Sequence, residues 1–235
     1  MNMAETRGEA IFSHNLTREK GKVEWLLFDL DGTLTDPKEG ITKCVQYALS
    51  RFGIERSCEE LVCFIGPPLI EQFMAYAGFT REQAMQAVEV YRERFAPIGI
   101  FENRAYEGAV ELVRDLKAAG KTLALATSKP QVFAEQIVKK YGFEPYLDII
   151  VGSELNGHLT NKAQVIAKVM DTLGADPNET IMIGDREHDV IGAKANGIKT
   201  VGVGFGYAAE GELEAAGAEY YAETMEELRT LLFSL

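Results

Sequence analysis

The sequence predicts an α/β protein: a doubly wound, Rossmann-like parallel sheet with an inserted all-helical cap domain. Three observations carry this expectation. From residue 106 to the C-terminus, short apolar runs alternate with amphipathic stretches, the pattern of parallel strands joined by right-handed helical crossovers. One further apolar run, near residue 25, is separated from the others by residues 37–105, which have helical spacing and no convincing strand. Several of the runs end in carboxylates, a hydroxyl or a Gly-Asp pair, where an open α/β sheet binds its ligands.

Residues 1–22 are polar and mixed in charge. They read as an N-terminal extension without the apolar segment of a signal peptide, with His14 on the surface. Val23-Glu24-Trp25-Leu26-Leu27 is the first buried strand. Gly40 to Phe52 is a helix, with Ile41, Cys44, Val45, Ala48, Leu49 and Phe52 on one face and Gly53 as its stop. Ser57-Cys58-Glu59-Glu60 caps a short helix. Pro67-Pro68 cannot lie within a helix and marks a turn and a new start. Leu69 to Ala77 and Thr80 to Phe95 are two more helices.

Beyond Tyr106 the expected order is a helix over Gly108–Gly120, a strand over Lys121–Thr127 and a helix over Pro130–Tyr141. There follow a strand over Asp148–Gly152, a helix over Lys162–Leu173, a strand over Thr180–Ile183, a helix over Glu187–Asn196 and a strand over Lys199–Val203. Tyr220-Tyr221 and Met225–Phe233 suggest an edge strand and a terminal helix. The expected division is therefore a core of residues 23–36 and 106–235, with residues 37–105 inserted into it rather than set in tandem.

At 235 residues the chain suits one α/β domain plus a modest insertion. Its formal charge of −12 argues against nucleic acid polymers and anionic membranes as partners. No stretch reaches the ~18 apolar residues of a membrane span. Cys44, Cys58 and Cys63 are odd in number and form no C-x-x-C, which suits reduced, mostly buried thiols in a cytoplasmic protein. Monomer and homodimer remain equally open.

Phe28-Asp29-Leu30-Asp31-Gly32-Thr33-Leu34-Thr35-Asp36 holds the first candidate site. Asp29 and Asp31 leave an extended chain on the same face and repel, unless a cation bridges them or one takes a proton. A calcium loop of the D-x-D-x-D-G kind fails, because its sixth position would be Leu34 and its twelfth Gly40. A solvated acidic turn is disfavoured by the apolar flanks, and a carboxylate pair working with Mg²⁺ on a phosphate is the favoured reading, one Asp as nucleophile and the other moving a proton. The strand ends downstream offer further groups. The Thr127 hydroxyl and Ser128 amide suit either a phosphate or a helix N-cap. Lys162 at a helix start opposes the dipole, and is either paired with an anion or solvated. Asp185 repeats the strand-end carboxylate, and Asp189, one helical turn on, either faces the same way or is an acid favoured by the dipole at a helix start. His188, between acids, reads as a solvated or supporting side chain. The glycines at 202, 204 and 206 do not make a dinucleotide loop, since no convincing βαβ unit follows them.

Taken together, Asp29-Leu30-Asp31-Gly32-Thr33, Thr127-Ser128, Lys162 and Gly184-Asp185…Asp189 resemble the four motifs of the haloacid dehalogenase-like superfamily, over about residues 23–235. Phe64-Ile65-Gly66-Pro67-Pro68-Leu69 and Val203-Gly204-Phe205-Gly206-Tyr207 resemble its phosphoglycolate-phosphatase-like branch, which includes 5′-nucleotidase-like members. Ala163, where many members have Pro, and Ala208, where Gly often follows the Tyr, depart from the pattern. The resemblance implies that Asp29 attacks phosphorus and that Asp31 moves the proton. It implies that Thr127, Ser128 and Lys162 hold the phosphate. Asp29, the Asp31 main-chain carbonyl and Asp185 would bind Mg²⁺, with Asp189 supporting.

The expected activity is Mg²⁺-dependent hydrolysis of a small phosphate monoester resembling phosphoglycolate. A 5′-nucleotidase, a sugar-phosphate mutase and an idle phosphometabolite-binding regulator are the alternatives. Dehalogenase or phosphonatase chemistry is disfavoured, because Asp31 supplies the acid that ester cleavage needs. A carboxylate on the substrate would call for a cap cation, with Lys43, Arg51 and Arg56 as candidates. A nucleotide would call for an aromatic platform, with Phe64, Phe73 and Tyr76 as candidates.

Overall fold

A computed structural model describes residues 22–155 and 158–235. Apart from Lys22, the expected extension over residues 1–22, with His14, lies outside the described residues. In chain order the strands are β1 (Trp25–Phe28), β2 (Thr35–Asp36), β3 (Arg104–Ala105), β4 (Thr122–Pro130), β5 (Ile149–Ser153), β6 (Thr180–Gly184), β7 (Lys199–Val203) and β8 (Tyr220–Ala222). The helices are α1 (Lys38–Ser50), α2 (Leu69–Ala77), α3 (Arg81–Phe95), α4 (Ala109–Ala118), α5 (Gln131–Tyr141), α6 (Lys162–Leu173), α7 (Glu187–Ala195), α8 (Glu212–Ala216) and α9 (Met225–Ser234).

Six strands make one sheet in the order β5-β4-β1-β6-β7-β8, with every pair parallel. β1 is central and wholly buried. Its side chains alternate, Leu26 and Phe28 entering one apolar layer and Trp25 and Leu27 the other. Burial on both faces explains why β1 reads as a continuous apolar run. The chain moves from β1 to β4 on one side and later returns to β6 on the other. The carboxyl end of β1 is therefore the switch point of the sheet.

The insertion between β2 and β3 contains α1, a 3₁₀ helix over Glu59–Phe64, α2 and α3. Phe64 packs against Phe73 and Tyr76 with ring centroids 5.0 and 5.3 Å apart, so the segment has apolar packing of its own. Thr80 and Gln83 form a capping box that fixes where α3 begins. α1 begins at Lys38, ahead of the expected Gly40, because Asp36 Oδ1 accepts from the Lys38 amide at 3.0 Å.

Two expectations need correction. Residues 104–105 do form a strand: β3 pairs antiparallel with β2, Thr35 facing Ala105 and Asp36 facing Arg104. Two-residue strands are too short to show a period, so sequence could not reveal them. β4 also runs on to Pro130, past the expected end at Thr127, and α5 starts at Gln131. The chain through Thr127-Ser128-Lys129 is thus extended rather than helical. Among the described residues, no helix is long and apolar enough to cross a membrane.

Candidate active site

The groups singled out at strand ends converge at the switch point. Asp29 directly follows β1, and its amide donates to the Ile183 carbonyl at 2.9 Å, so its place is fixed by the sheet itself. Gly32, at φ +88°, then turns the chain away. Asp185 follows β6 and is wholly buried, while Asp189 is 1 % exposed on the first turn of α7. Asp189 Oδ2 accepts from the Arg186 amide at 3.1 Å, which holds the carboxylate under the helix start.

Lys162, the first residue of α6, is buried and reaches three oxygens. Its Nζ lies 2.6 Å from Asp29 Oδ1, 2.8 Å from Asp189 Oδ1 and 3.0 Å from the Ala126 carbonyl. Of the two readings open for this lysine, the structure selects the paired one. Burial works against the ammonium, but Asp189 and Asp29 outweigh it and hold it above the ordinary lysine value.

The acids are less well compensated. Asp29, Asp185 and Asp189 each present an oxygen, and these three atoms lie within 4.8 Å of one another. Asp185 Oδ2 accepts from the Tyr207 amide at 2.8 Å, yet its Oδ1 is buried without a partner. Burial first, and then the charges of Asp189 and Asp29, push the Asp185 carboxyl well above the ordinary aspartate value. A Cβ on Gly32 or on Gly206 would overlap the Asp185 side chain, so both glycines are needed for the carboxylate to stand there. An orphaned oxygen among three crowded carboxylates fits a bound divalent cation.

Asp31 departs from this trio. Its Oδ2 lies 2.5 Å from Lys129 Nζ, and its buried Oδ1 has no partner. Burial raises the Asp31 carboxyl above the ordinary value, against the pull of Lys129. Lys129 falls between the expected strand end at Thr127 and the expected helix start at Pro130, where the sequence assigns its side chain no role. In an extended chain Thr127 and Lys129 share a face, and both are buried while Ser128 is half-buried.

A cavity of about 330 Å³ lies above these groups. Asp29, Asp31, Thr127, Ser128, Lys129 and Lys162 line its floor. Its roof comes from the inserted helices, with Phe64, Leu69, Ile70, Met85 and Val88 facing in. The candidate cap cations lie elsewhere. Lys43 pairs with Glu39 and Glu102 at 2.6 and 3.3 Å, Arg56 lies 3.9 Å from Glu60, and Arg51 sits over the Tyr47 ring. The arginines that do line the cavity are Arg81, Arg92 and Arg186. Of the candidate aromatics Phe64 faces the cavity, while Phe73 and Tyr76 pack behind it. His188 is half-buried in the cavity wall.

Comparison with known proteins agrees with this geometry. A family model described as haloacid dehalogenase-like hydrolase matches residues 26–203. A 5′-nucleotidase of Pseudomonas aeruginosa is 47% identical over 210 residues, 89% of this chain and 95% of that protein. The tyrosine-protein kinase PtkA of Mycobacterium tuberculosis is 36% identical over 210 residues, 88% of this chain and 72% of that protein. The crystal structure of a predicted phosphatase from Clostridium acetobutylicum superposes with a TM-score of 0.89 at 44% identity, covering 91% of this chain and 100% of that one.

Proposed function

The chain belongs to the haloacid dehalogenase-like hydrolases and is a phosphatase of that family; from this premise we propose that it uses Mg²⁺ to hydrolyse a small phosphate monoester through an aspartyl-phosphate. The observation that carries the proposal is the buried meeting of Asp29, Lys162, Asp185 and Asp189 beneath a roofed cavity. Asp29 attacks phosphorus. Asp31 gives a proton to the leaving oxygen, then takes one from the water that cleaves the aspartyl-phosphate. The Thr127 hydroxyl, the Ser128 amide and the Lys162 ammonium hold the phosphoryl oxygens, over which the transferring charge spreads. Asp29, the Asp31 carbonyl and Asp185 would hold Mg²⁺, and Asp189 is near enough to join them or to steer Lys162. When bound, the cation neutralises the clustered carboxylates and draws charge from the phosphoryl group.

Residues 37–105 act in this reading as the cap over a core of residues 23–36 and 106–235, excluding water from the reaction. Of the free thiols only Cys44 is buried, Cys58 being half-buried and Cys63 exposed against the expectation, and all three suit the reducing cytoplasm. For the substrate, the apolar part of the roof, which stands beside Arg81 and Arg92, shifts the reading from the expected phosphoglycolate-like ester towards a nucleoside monophosphate. A two-carbon acid would leave Phe64, Leu69, Ile70, Met85 and Val88 without contact, whereas a nucleoside would cover them. The name of the Pseudomonas aeruginosa relative supports the same direction.

The test is a turnover panel with Mg²⁺ or with EDTA, over p-nitrophenyl phosphate, nucleoside monophosphates, phosphoglycolate, pyrophosphate and sugar phosphates. Phosphate release that EDTA abolishes is expected, with kcat/KM roughly tenfold or more higher for the best nucleoside monophosphate than for phosphoglycolate. The reverse order would restore the phosphoglycolate reading. Absence of phosphate release from the whole panel would overturn the assignment.

A further inference from the structure

Lys129 is a buried cation in the site to which no role has been given. One face of its ammonium meets the Asp31 carboxylate at 2.5 Å, and the Phe95 ring centroid lies 4.9 Å from Nζ. A surface lysine would swing freely. This side chain is 5 % exposed and held between an anion and an aromatic face, so its position is defined. Its own amide donates to Thr127 Oγ1 at 3.2 Å, tying the backbone on which it stands to the strand end.

The two oxygens of Asp31 are thereby made unequal. Oδ2 is taken by Lys129, whereas Oδ1 is buried, has no partner and belongs to a residue that lines the cavity. We propose that Lys129 is a positioning residue for the reaction: by occupying Oδ2 it reserves Oδ1 of Asp31 as the atom that carries the proton. This rests on the phosphatase reading above. In the first step Oδ1–H passes its proton to the leaving oxygen as the phosphorus–oxygen bond to that group breaks and the Asp29–phosphorus bond forms. The carboxylate left behind stays paired with Lys129. In the second step Oδ1 takes a proton from water as the water oxygen attacks phosphorus and the Asp29–phosphorus bond breaks, which restores both acids. Phe95 is contributed by α3, so the inserted helices complete the holder for a lysine of the sheet.

Dependence on the leaving group tests this. An alkyl phosphate needs its departing oxygen protonated, whereas p-nitrophenyl phosphate departs as a stable anion. In Lys129→Met, kcat/KM is expected to fall roughly 100-fold on an alkyl phosphate, and at least about tenfold less steeply on p-nitrophenyl phosphate. Lys129→Arg, which restores the charge, should recover part of the difference. Phe95→Leu keeps the lysine and removes its aromatic seat. It should show the same selectivity at smaller size, which keeps the test open if Lys129→Met does not fold. Equal losses on both esters, or a change confined to KM, would overturn the proposal and make Lys129 a general binding group. Turnover of both esters by the unaltered enzyme, and its loss in Asp29→Asn, test the phosphatase reading separately.

Discussion

Asp29→Asn is expected to lower kcat/KM on every phosphate ester by about four orders of magnitude or more, because it removes the attacking carboxylate itself. The amide is nearly isosteric, and its oxygen can still accept from Lys162, which now lies 2.6 Å from Asp29 Oδ1. The fold should therefore survive, and a circular dichroism spectrum and melting temperature close to those of the wild type would establish that. The sharper measurement is acid-quenched labelling with a phosphate donor. The unaltered enzyme should trap label on protein, and the variant should trap none. Full turnover in the variant would end the covalent route, whatever became of the rest of the site.

Asp185→Asn is expected to separate stability from activity. In the metal-free protein this carboxyl is buried beside Asp189 and Asp29, and its folded-state affinity for a proton is raised. A carboxyl raised in this way costs stability once pH climbs above the ordinary aspartate value, and the cost is complete above the raised one. At neutral pH, which lies above the ordinary aspartate value, this burial of Asp185 therefore works against the fold. The neutral amide removes that cost and keeps an oxygen for the Tyr207 amide, which Asp185 Oδ2 accepts at 2.8 Å. We expect the metal-free variant to gain about 1–3 kcal/mol over the metal-free wild type. At roughly 2–4 °C per kcal/mol for a chain of this size, a thermal melt resolves the gain. Mg²⁺ should raise the melting temperature of the wild type and not of the variant, while turnover falls by about three orders of magnitude. A variant that melts lower than the wild type without metal, or that keeps its response to Mg²⁺, would show that Asp185 is not part of a cation site.

Much of this arrangement is legible in the residues, and what is not has physical reasons. Strand ends are visible because an apolar run that stops in Asp29 or Asp185 contradicts its own burial. The pairing of Lys162 is half visible: a cation at a helix start is anomalous, but its partners come from β1 and α7, and no local pattern names them. Lys129 is hidden because the end of β4 is not legible in the residues. Pro130 suggested a helix start, whereas β4 continues to it, and the face of a side chain follows from that choice alone. The cap misled for a different reason. Lys43 lies on α1 and Arg56 in the loop that follows it, yet which face of the inserted segment looks into the cavity depends on how the whole segment is laid over the sheet. Such placement is set by tertiary packing, to which periodicity is blind.

The short ribbon of β2 and β3 has a consequence for how such a chain can diversify. Thr35 faces Ala105 and Asp36 faces Arg104, so the segment that leaves the sheet returns to the place it left. Closing a loop whose ends already meet depends only weakly on what lies between, since each doubling of its length costs about 0.6 kcal/mol. The ribbon therefore closes at nearly the same cost whatever the length of the stretch between, although that stretch also supplies the Phe95 ring beside Lys129. An exchange of the whole stretch between those two crossings, by recombination or by grafting, can bring a new clientele where the incoming stretch again offers an aromatic seat to Lys129.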